Sequence, residues 1–268
     1  MHRVLNYPGS KWNVADWIVG LMPPHKSYLE PFFGSGAVFF SKEKAPIETI
    51  NDLDGEVVNL FSVIRREPEA LATALALTPY SRQEYNSAWD QLRSGELLHQ
   101  DDVERARLML VRYWQAQGCS AQKKAGWKND VAGREAAYAV RNWSSLPGWV
   151  LDAAGRLKDA QIEQLPAVDL IRRFHQPEVL IYADPPYLLS TRADRQYRQE
   201  LDEAGHVELL HVLMDHPGPV MLSGYDNELY NDLLVGWEKL QRPAQACNGV
   251  RRTETLWVNF EIQLRLEL

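Results

Sequence analysis

The sequence predicts an α/β protein with a mostly parallel sheet and an inserted helical subdomain. Two β-α units follow each other near the N-terminus, which implies neighbouring parallel strands. A stretch without clear strands, residues 68–157, separates them from further strands at residues 179–183 and 219–223. Alternating apolar and polar residues at 255–260 and 262–266 predict an antiparallel hairpin that closes the sheet.

The first predicted element is a short helix. Ser10 is suited to cap it, and apolar residues recur at helical spacing over residues 14–21. Two prolines, Pro23 and Pro24, end the pattern.

Two β-α units come next. Residues 28–33 predict a strand that enters the turn Gly34-Ser35-Gly36 and then a helix from Ala37. Residues 47–50 predict the second strand, and Asp54 can cap the helix that follows it. Because glycine has no side chain, Gly34 and Gly36 allow the backbone to approach a ligand closely.

Residues 68–157 predict a helical subdomain inserted between the catalytic segments 1–67 and 158–268. Within residues 103–143, eight basic residues stand against three acidic ones, although the whole chain carries a formal charge of -7. Aromatic residues are interleaved with these charges, which is expected of a surface that grips phosphates and stacks bases. A solvated helical face explains the same pattern. The basic candidates for DNA binding here are Arg112, Lys123, Lys124, Lys128 and Arg134, and the aromatic residues are Trp114, Trp127, Tyr138 and Trp143.

The predicted strand at residues 179–183 ends abruptly in Asp184-Pro185-Pro186-Tyr187. Proline stops a strand and fixes the backbone of a turn. The acid and the ring therefore follow the carboxyl end of a strand, where open α/β sheets bind ligands. The rest of the sheet domain is predicted as a helix at 207–214, the strand at 219–223 and a helix at 229–234.

Composition narrows the functional class. With 268 residues and 45% hydrophobic residues, the chain can bury a large core. We expect a cytoplasmic protein without a membrane span, and a monomer. Cys119 and Cys247 have no zinc-ligand spacing, so we expect reduced thiols and no metal. The net negative charge argues against non-specific coating of nucleic acid but leaves room for a local basic face.

Five motifs together resemble one enzyme family. Asp184-Pro185-Pro186-Tyr187 is the signature of amino-directed DNA methyltransferases, and the chain resembles their Dam-like (α-class), adenine-specific branch of phage and prophage type. The other matching motifs, in chain order, are Tyr7-Pro8-Gly9-Ser10-Lys11, Glu30-Pro31-Phe32-Phe33-Gly34-Ser35-Gly36, Asn51-Asp52, and Leu222-Ser223-Gly224-Tyr225-Asp226 with Thr255-Leu256-Trp257-Val258-Asn259.

The resemblance implies a Rossmann-like S-adenosylmethionine-dependent methyltransferase fold that acts on double-stranded DNA. It implies Asp184, Pro185, Pro186 and Tyr187 as catalytic residues. The implied S-adenosylmethionine site comprises Tyr7, Gly9, Ser10, Lys11, Glu30, Phe32, Gly34, Gly36, Asp52 and Asp184.

The chemistry explains why these residue types are needed. The adenine amino nitrogen is a poor nucleophile because its lone pair is delocalised into the ring. Asp184 and the carbonyl of Pro185 are expected to accept its two hydrogens, which aims the lone pair at the methyl group. Tyr187 is expected to stack on a flipped base. Residues 188–198 predict a polar loop with three basic residues suited to hold the displaced backbone: Arg192, Arg195 and Arg198. A mobile surface loop explains the same pattern.

One segment departs from the family pattern. Many members carry an acid near the cofactor adenine, where this chain has Gln164-Leu165-Pro166-Ala167. The pattern leaves the target sequence open. Two alternatives also remain: a cytosine-N4 or RNA adenine methyltransferase, although Asp184 rather than serine favours adenine, and a catalytically decayed DNA-binding relic.

Overall fold

The computed structural model describes residues 1–118, 123–131, 137–192, 197–245 and 251–262. The chain divides into two compact units. The sheet unit consists of Gly9–Asp54 and Asp159–Leu268, and the helical unit consists of Met1–Pro8 and Gly55–Lys158.

The sheet unit contains a seven-stranded mixed sheet. In chain order its strands are β1 (Ser27–Glu30), β2 (Ile47–Asn51), β3 (Gln161–Glu163), β4 (Val179–Ala183), β5 (Val220–Gly224), β6 (Glu238–Gln245) and β7 (Arg251–Val258). Their spatial order is β3-β2-β1-β4-β5-β7-β6. The five strands from β3 to β5 pair in parallel, and β7 pairs antiparallel with both β5 and β6. A predominantly parallel sheet closed by an antiparallel hairpin confirms the predicted fold class.

Both units contain helices. In chain order they are α1 (Ala15–Gly20), α2 (Ala37–Ser41), α3 (Gly55–Arg66), α4 (Pro68–Leu77), α5 (Arg82–Ser94), α6 (Asp102–Trp114), α7 (Tyr138–Leu157), α8 (Ala167–Arg173), α9 (Glu203–Met214) and α10 (Glu228–Leu233). Short 3₁₀ turns lie at Glu96–His99 and Leu189–Thr191. Among the described residues, every helix is too short or too polar to cross a bilayer.

The strand order reverses beside β1. Its neighbours are β2 on one side and β4 on the other, so the chain leaves β1 in one direction along the sheet and resumes on its opposite side. Such a reversal opens a crevice beyond the carboxyl ends of the two strands. The residues after β1 and β4 therefore meet at the position where this fold binds ligands.

The core of the sheet unit fixes these central strands. β1, β4 and β5 are buried along their whole length. One apolar cluster joins residues of these strands and β7 to the helices α8, α9 and α10; it includes Leu29, Ile181, Leu222, Trp257, Leu170, Leu209 and Tyr230. Full burial of each such aliphatic side chain contributes roughly 1.5–3 kcal/mol to the stability of the fold. The packed core therefore holds the ends of these strands in place.

Two sequence predictions of elements were wrong. The first helix begins at Ala15 with Val14 at its N-cap, and Ser10 does not cap it. The Ser10 hydroxyl instead forms a 2.9 Å hydrogen bond with that of Ser35. The first strand ends at Glu30 instead of reaching Phe33.

The closing hairpin also uses a strand that the sequence did not reveal. β7 pairs along its length with β6, and residues 263–266 of the predicted hairpin lie outside the described residues. β6 is polar and contains Pro243. Both properties are tolerated because β6 lies at the edge of the sheet, next to β7, in the order of the described strands.

The compact units divide the chain at different points from the predicted domains. α3 packs against α6 and α7 inside the helical unit, whereas the sequence placed it with the sheet. Arg105 on α6 forms a 2.7 Å ion pair with Glu56 on α3. The N-terminal residues belong there as well, since Trp114 donates a 2.7 Å hydrogen bond to the carbonyl of Val4. The helical unit therefore starts at Gly55 rather than Pro68.

Candidate active site

A glycine turn follows β1 at the crevice. Gly34 and Gly36 have left-handed backbones, with φ of 50° and 65°. The turn is closed by a 2.7 Å hydrogen bond from the Gly36 amide to the carbonyl of Phe33. A Cβ on Gly36 would lie 2.4 Å from the Phe33 ring, so only glycine fits there.

Asp52, directly after β2, supports this turn. Its carboxylate accepts hydrogen bonds from the amides of Gly34 at 2.8 Å and Asp54 at 2.9 Å. Burial raises the pKa of Asp52 to about 6, although these two hydrogen bonds oppose the rise. Each carboxylate oxygen has a second lone pair, so Asp52 can still accept hydrogen bonds from a ligand's hydroxyl groups.

Glu30, the last residue of β1, is a buried acid. It is 2% exposed, and the hydroxyl of Tyr28 donates a 2.6 Å hydrogen bond to its carboxylate. Burial raises the pKa of Glu30 to about 8, and the Tyr28 hydrogen bond opposes this rise. A buried carboxyl of this kind is suited to a cationic ligand group, which would favour its ionised form. Phe32 packs against the apolar core.

Asp184 stands at the end of the neighbouring strand, β4. Its carboxylate lies 2.9 Å from the ammonium of Lys11, which is 6% exposed and also donates to the carbonyl of Gly9 at 2.8 Å. Burial raises the pKa of Asp184, and Lys11 opposes this shift without cancelling it. Burial alone would lower the pKa of Lys11, but Asp184 and Glu254 outweigh it and the pKa is raised.

Tyr187 presents its ring beside this ion pair. The Lys11 ammonium lies 4.7 Å from the ring centroid, and the ring of Tyr225 meets that of Tyr187 edge-on at 4.7 Å. The Tyr187 hydroxyl donates a hydrogen bond to Glu254 on β7. The two prolines between Asp184 and Tyr187 fix this turn, and Pro185 is buried.

Glu254 is a site residue that the sequence analysis missed. It is 6% exposed, and its carboxylate lies 3.8 Å from Lys11. Burial raises its pKa to about 7, with Lys11 acting in the opposite direction. A sequence signal exists, because Glu254 shares a strand face with Leu256 and Val258 at a period of two. A lone carboxylate on an apolar strand face indicates a functional position.

Gly9 brings the motif of Lys11 close to the loop after β4. Its backbone is left-handed, with φ of 69°. A Cβ there would lie 1.9 Å from the hydroxyl of Tyr197. The glycine therefore allows Tyr197 to lie directly against the segment that carries Lys11.

Arg192, a predicted DNA contact, lies inside the protein rather than at its surface. Its side chain is 5% exposed and forms an ion pair with Glu200. It also donates a 2.7 Å hydrogen bond to the carbonyl of Tyr187, so it braces the catalytic turn. Arg198 is more exposed and lies 3.6 Å from Asp54. Arg195 lies outside the described residues.

The predicted DNA contacts of the helical unit are only partly at its surface. Arg112 is 4% exposed, lies 3.8 Å from Glu56, and is not available to a phosphate. Lys123 is exposed. Lys124 has Asp90 at 4.0 Å, and the Lys128 ammonium lies 5.5 Å from the ring centroid of Tyr138. Arg134 lies outside the described residues.

The aromatic residues of this region differ in exposure. Trp143 is buried and donates to the carbonyl of Thr78 at 2.9 Å. Trp114 and Trp127 are partly buried and their ring N–H groups donate within the helical unit. Tyr138 is 66% exposed. Tyr138 with Lys128 is therefore the pair that best retains the predicted combination of ring and charge.

Tyr7, a predicted cofactor contact, and the segment of residues 164–167 both have partners within the protein. Tyr7 is 5% exposed and packs on Tyr113 in the helical unit, with ring centroids 5.4 Å apart. In the segment that departs from the family pattern, Asn51 accepts from the amide of Leu165 at 2.8 Å and donates to its carbonyl at 3.1 Å. The backbone polar groups of Leu165 are therefore already engaged.

In the described part of the chain, no group of three or more histidine, cysteine, aspartate or glutamate side chains is placed to hold a metal ion. Cys119 and Cys247 both lie outside that part. The reactive groups gathered at the crevice are instead carboxylates, a lysine ammonium and tyrosines.

Curated relatives match part of the chain. The DNA N-6-adenine-methyltransferase of Escherichia phage P1 is 28% identical over 110 residues, which cover 40% of this chain and 14% of that protein. The Type II methyltransferase M1.LlaDCHI of Lactococcus lactis subsp. cremoris is 34% identical over 112 residues, which cover 39% of this chain and 38% of that protein. The chain thus matches well under half the length of these relatives.

Among solved structures, similarity is distant. A putative methyltransferase, yhhF, from Escherichia coli has a TM-score of 0.39 and 12% identity over 94% of this chain and 83% of its own. The SAM-dependent methyltransferase from Agrobacterium tumefaciens has a TM-score of 0.38 and 10% identity over 92% of this chain and 59% of its own.

A family model matches most of the chain. The model described as D12 class N6 adenine-specific DNA methyltransferase matches residues 7–246, which include the glycine turn, Asp52 and the Asp184-Pro185-Pro186-Tyr187 turn. Because this match covers well over half of the sequence, the chain belongs to the D12 class of N6 adenine-specific DNA methyltransferases.

Proposed function

We propose that this protein transfers a methyl group from S-adenosylmethionine to the exocyclic N6 of an adenine that is flipped out of duplex DNA. The observation that carries this proposal is the pairing of two neighbouring strand ends. Glu30 ends β1 and the glycine turn follows it, and Asp184 with Tyr187 follows β4. One crevice thereby joins a cofactor cradle to an amine-binding carboxylate.

The residues after β1 and β2 fit S-adenosylmethionine, the cofactor of this family. When bound, it supplies an electrophilic methyl group on a positively charged sulfur. The buried carboxyl of Glu30 suits the ligand's ammonium, and Asp52 suits its ribose hydroxyls. The left-handed turn at Gly34 and Gly36 leaves room for the ligand against the backbone.

Asp184 and Pro185 make the amine nucleophilic. The Asp184 carboxylate and the Pro185 carbonyl accept the two amino hydrogens, which localises the lone pair on nitrogen. As the nitrogen–carbon bond forms, the carbon–sulfur bond breaks and its electron pair stays on sulfur. One amino proton then leaves, and the Asp184 carboxylate, with its raised pKa, is suited to accept it.

Tyr187 holds the flipped base by stacking on it. Flipping costs a few kcal/mol, which stacking at about 1–3 kcal/mol helps to offset. The ring is fixed by the hydrogen bond from its hydroxyl to Glu254 and by the edge of Tyr225. A fixed ring lowers the entropy that is lost when the base binds.

We assign the positioning of the duplex to the helical unit. Lys123, Lys128 and Tyr138 offer positive charge and an exposed ring there. Such contacts fix the DNA backbone without reading sequence. We expect the protein to act as a monomer, since each chain carries the complete set of crevice residues.

The test is methyl transfer from radiolabelled S-adenosylmethionine to duplex DNA of diverse sequence, with digestion to nucleosides and mass spectrometry. We expect label in N6-methyl-2′-deoxyadenosine. Label in N4-methyl-2′-deoxycytidine, or in RNA but not DNA, would replace the proposed substrate. Cofactor binding without transfer to either nucleic acid would contradict the proposed activity.

A further inference from the structure

We propose that Glu254 is a positioning residue for methyl transfer: its carboxylate anchors the hydroxyl of Tyr187 and shares the ammonium of Lys11 with Asp184. The inference rests on the proposed function. It assigns a role to β7, a strand outside the cofactor cradle and the Asp184-Pro185-Pro186-Tyr187 turn.

The first argument is geometric. The Tyr187 hydroxyl points to the β7 edge of the site and donates to Oε1 of Glu254. The same oxygen lies 3.8 Å from Lys11 Nζ, and that nitrogen lies 2.9 Å from Asp184 Oδ1. Lys11 also lies 4.7 Å from the centroid of the Tyr187 ring. Glu254 therefore contacts both groups that flank the amine-binding carboxylate.

The second argument is electrostatic. If Lys11 had Asp184 as its sole partner, the ammonium would neutralise the carboxylate that must accept the amino hydrogens. Glu254 offers the ammonium a second negative partner, and its own charge disfavours ionisation of Asp184. The pKa of both carboxyls is raised, in each case chiefly by burial, and the charge of Asp184 raises the pKa of Glu254 further. Asp184 therefore remains a better proton acceptor than Lys11 alone would permit.

Charged and titratable groups from every packed element bear on this set. Lys11 comes from the N-terminal motif, Asp184 and Tyr187 from the turn after β4, and Tyr225 from the end of β5. Tyr197 interacts with the charges of Lys11 and Asp184, and Glu30 interacts with that of Asp184. Tyr182 on β4 and Tyr230 on α10 also interact with the charge of Asp184. Arg252, which is close to Glu254 along β7, lies 5.8 Å from the ring centroid of Tyr225.

The test compares Glu254→Gln with Glu48→Gln in the full chain. Glu48 is a matched control because it is also a buried glutamate, paired with Lys42, whose ammonium lies 4.4 Å from the ring centroid of Tyr28. Both substitutions remove one buried negative charge from a lysine that also contacts a tyrosine ring. Unfolding measurements on both variants correct for any change in stability.

We expect Glu254→Gln to lower kcat about 10²-fold, the loss expected for a misplacement of about 1 Å, while the KM for S-adenosylmethionine stays close to that of the wild type. The acid limb of the pH profile of kcat should move to lower pH, because loss of the Glu254 charge lowers the pKa of Asp184. Tyr187→Phe should also lower kcat, and adding it to Glu254→Gln should cost less than the product of the two single effects.

A Glu254→Gln variant that matches Glu48→Gln in kcat and in pH profile would overturn the inference. Infrared titration of the carboxyl groups in the cofactor-free protein gives a readout without turnover. There, Glu254→Gln should lower the titration midpoint of the band that Asp184→Asn removes, and an unchanged midpoint would also overturn it. Absence of methyl transfer by the wild type would instead refute the proposed function, leaving the titration as the test of the coupling.

Discussion

At the scale of single residues, the site is governed by burial of like charges. Asp184, Glu254 and Glu30 are acids whose pKa is raised by burial, and Lys11 is the ammonium that approaches the first two. A buried carboxylate that is incompletely neutralised binds protons and cations more readily than an exposed one. The proposed methyl transfer brings a cation and a proton to this site, because the methyl donor is positively charged and the amine releases a proton.

Asp184→Asn tests the amine-activating role. The amide keeps the shape but loses the negative charge, so kcat should fall by at least about 10²-fold, as when one preorganised partner of the transition state is removed. Cofactor binding should persist, because Glu30 and Asp52 are intact. The measurements are single-turnover methyl transfer and calorimetric binding. Near-normal turnover would refute the role of Asp184.

Glu30→Gln tests whether Glu30 binds the ammonium of S-adenosylmethionine. The measured quantity is the number of protons released on binding. With a pKa of about 8, Glu30 is mostly protonated at pH 7, and a bound ammonium favours its ionised form. Wild-type binding of S-adenosylmethionine at pH 7 should therefore release a proton, and this release should diminish as the pH rises above 8. Glu30→Gln should bind more weakly and release less.

The measurement is calorimetry in buffers of different ionisation enthalpy. Glu56→Gln, which removes a buried glutamate paired with Arg105 in the helical unit, should release as many protons as the wild type. Equal proton release by Glu30→Gln and the wild type would show that Glu30 does not bind the ammonium of the cofactor.

Residue roles that depend on burial could not be predicted from sequence. Arg192 and Arg112 look like surface cations in the chain, yet Glu200 and Glu56 pair with them inside the fold. Each arginine is conspicuous in sequence, whereas its partner is identified only by the tertiary structure. Asp184 and Tyr187 were predictable because two prolines end a fully apolar strand directly before the ring.

At the scale of elements, predictability follows the strength of the local signal. β4 begins and ends where the sequence predicted, because five buried apolar residues run into a proline turn. β6 escaped prediction because an edge strand can be polar and can contain Pro243. The role of Glu254 was also not predicted, because it depends on β7 placing this residue beside β5 and the Tyr187 turn.

Gly9→Ala tests how the N-terminal motif is fitted to the loop after β4. Alanine in a left-handed backbone costs about 1–2 kcal/mol anywhere. At Gly9 its Cβ would also collide with the Tyr197 hydroxyl and displace the segment of Lys11. We expect kcat/KM to fall about tenfold or more beyond the effect of reduced stability.

Gly236→Ala is the matched control. Gly236 has φ of 87°, but among the described residues no atom outside its chain neighbours lies within 4 Å of the position that an alanine Cβ would occupy. The variant should be destabilised to a similar extent in thermal unfolding while its kcat/KM stays that of the wild type. Equal kinetic losses in both variants would show that backbone strain, rather than the Tyr197 contact, matters at Gly9.

At the scale of the whole molecule, charge is distributed less simply than the sequence suggests. The excess of basic residues in 103–143 includes Arg105, Arg107 and Arg112. Acidic residues of the helical unit lie within ion-pair distance of all three: Glu56, Glu84, Asp102 and Glu104. A count along the sequence cannot show this, because Glu56 and Glu84 lie outside the counted range. The charge available to DNA is therefore concentrated in fewer side chains.

Replacing Lys123, Lys124 and Lys128 with alanine tests the helical unit as the DNA-positioning surface. Each phosphate that is no longer neutralised should reduce the slope of log affinity against log salt by about 0.9. Because Lys124 has Asp90 at 4.0 Å, we expect the total reduction to lie between about 1 and 3, with weaker binding at low salt. Fluorescence anisotropy of labelled duplex DNA over a salt series measures it.

Lys26→Ala with Lys44→Ala is the control for removal of surface lysines. Both are exposed and precede β1 and β2, at the end of the strands opposite to Asp52 and Glu30. Their removal lowers the net charge but should leave the salt slope unchanged. If both sets of substitutions changed the slope equally per lysine, long-range charge would explain the effect. The helical unit would then not be the specific binding surface for the DNA backbone.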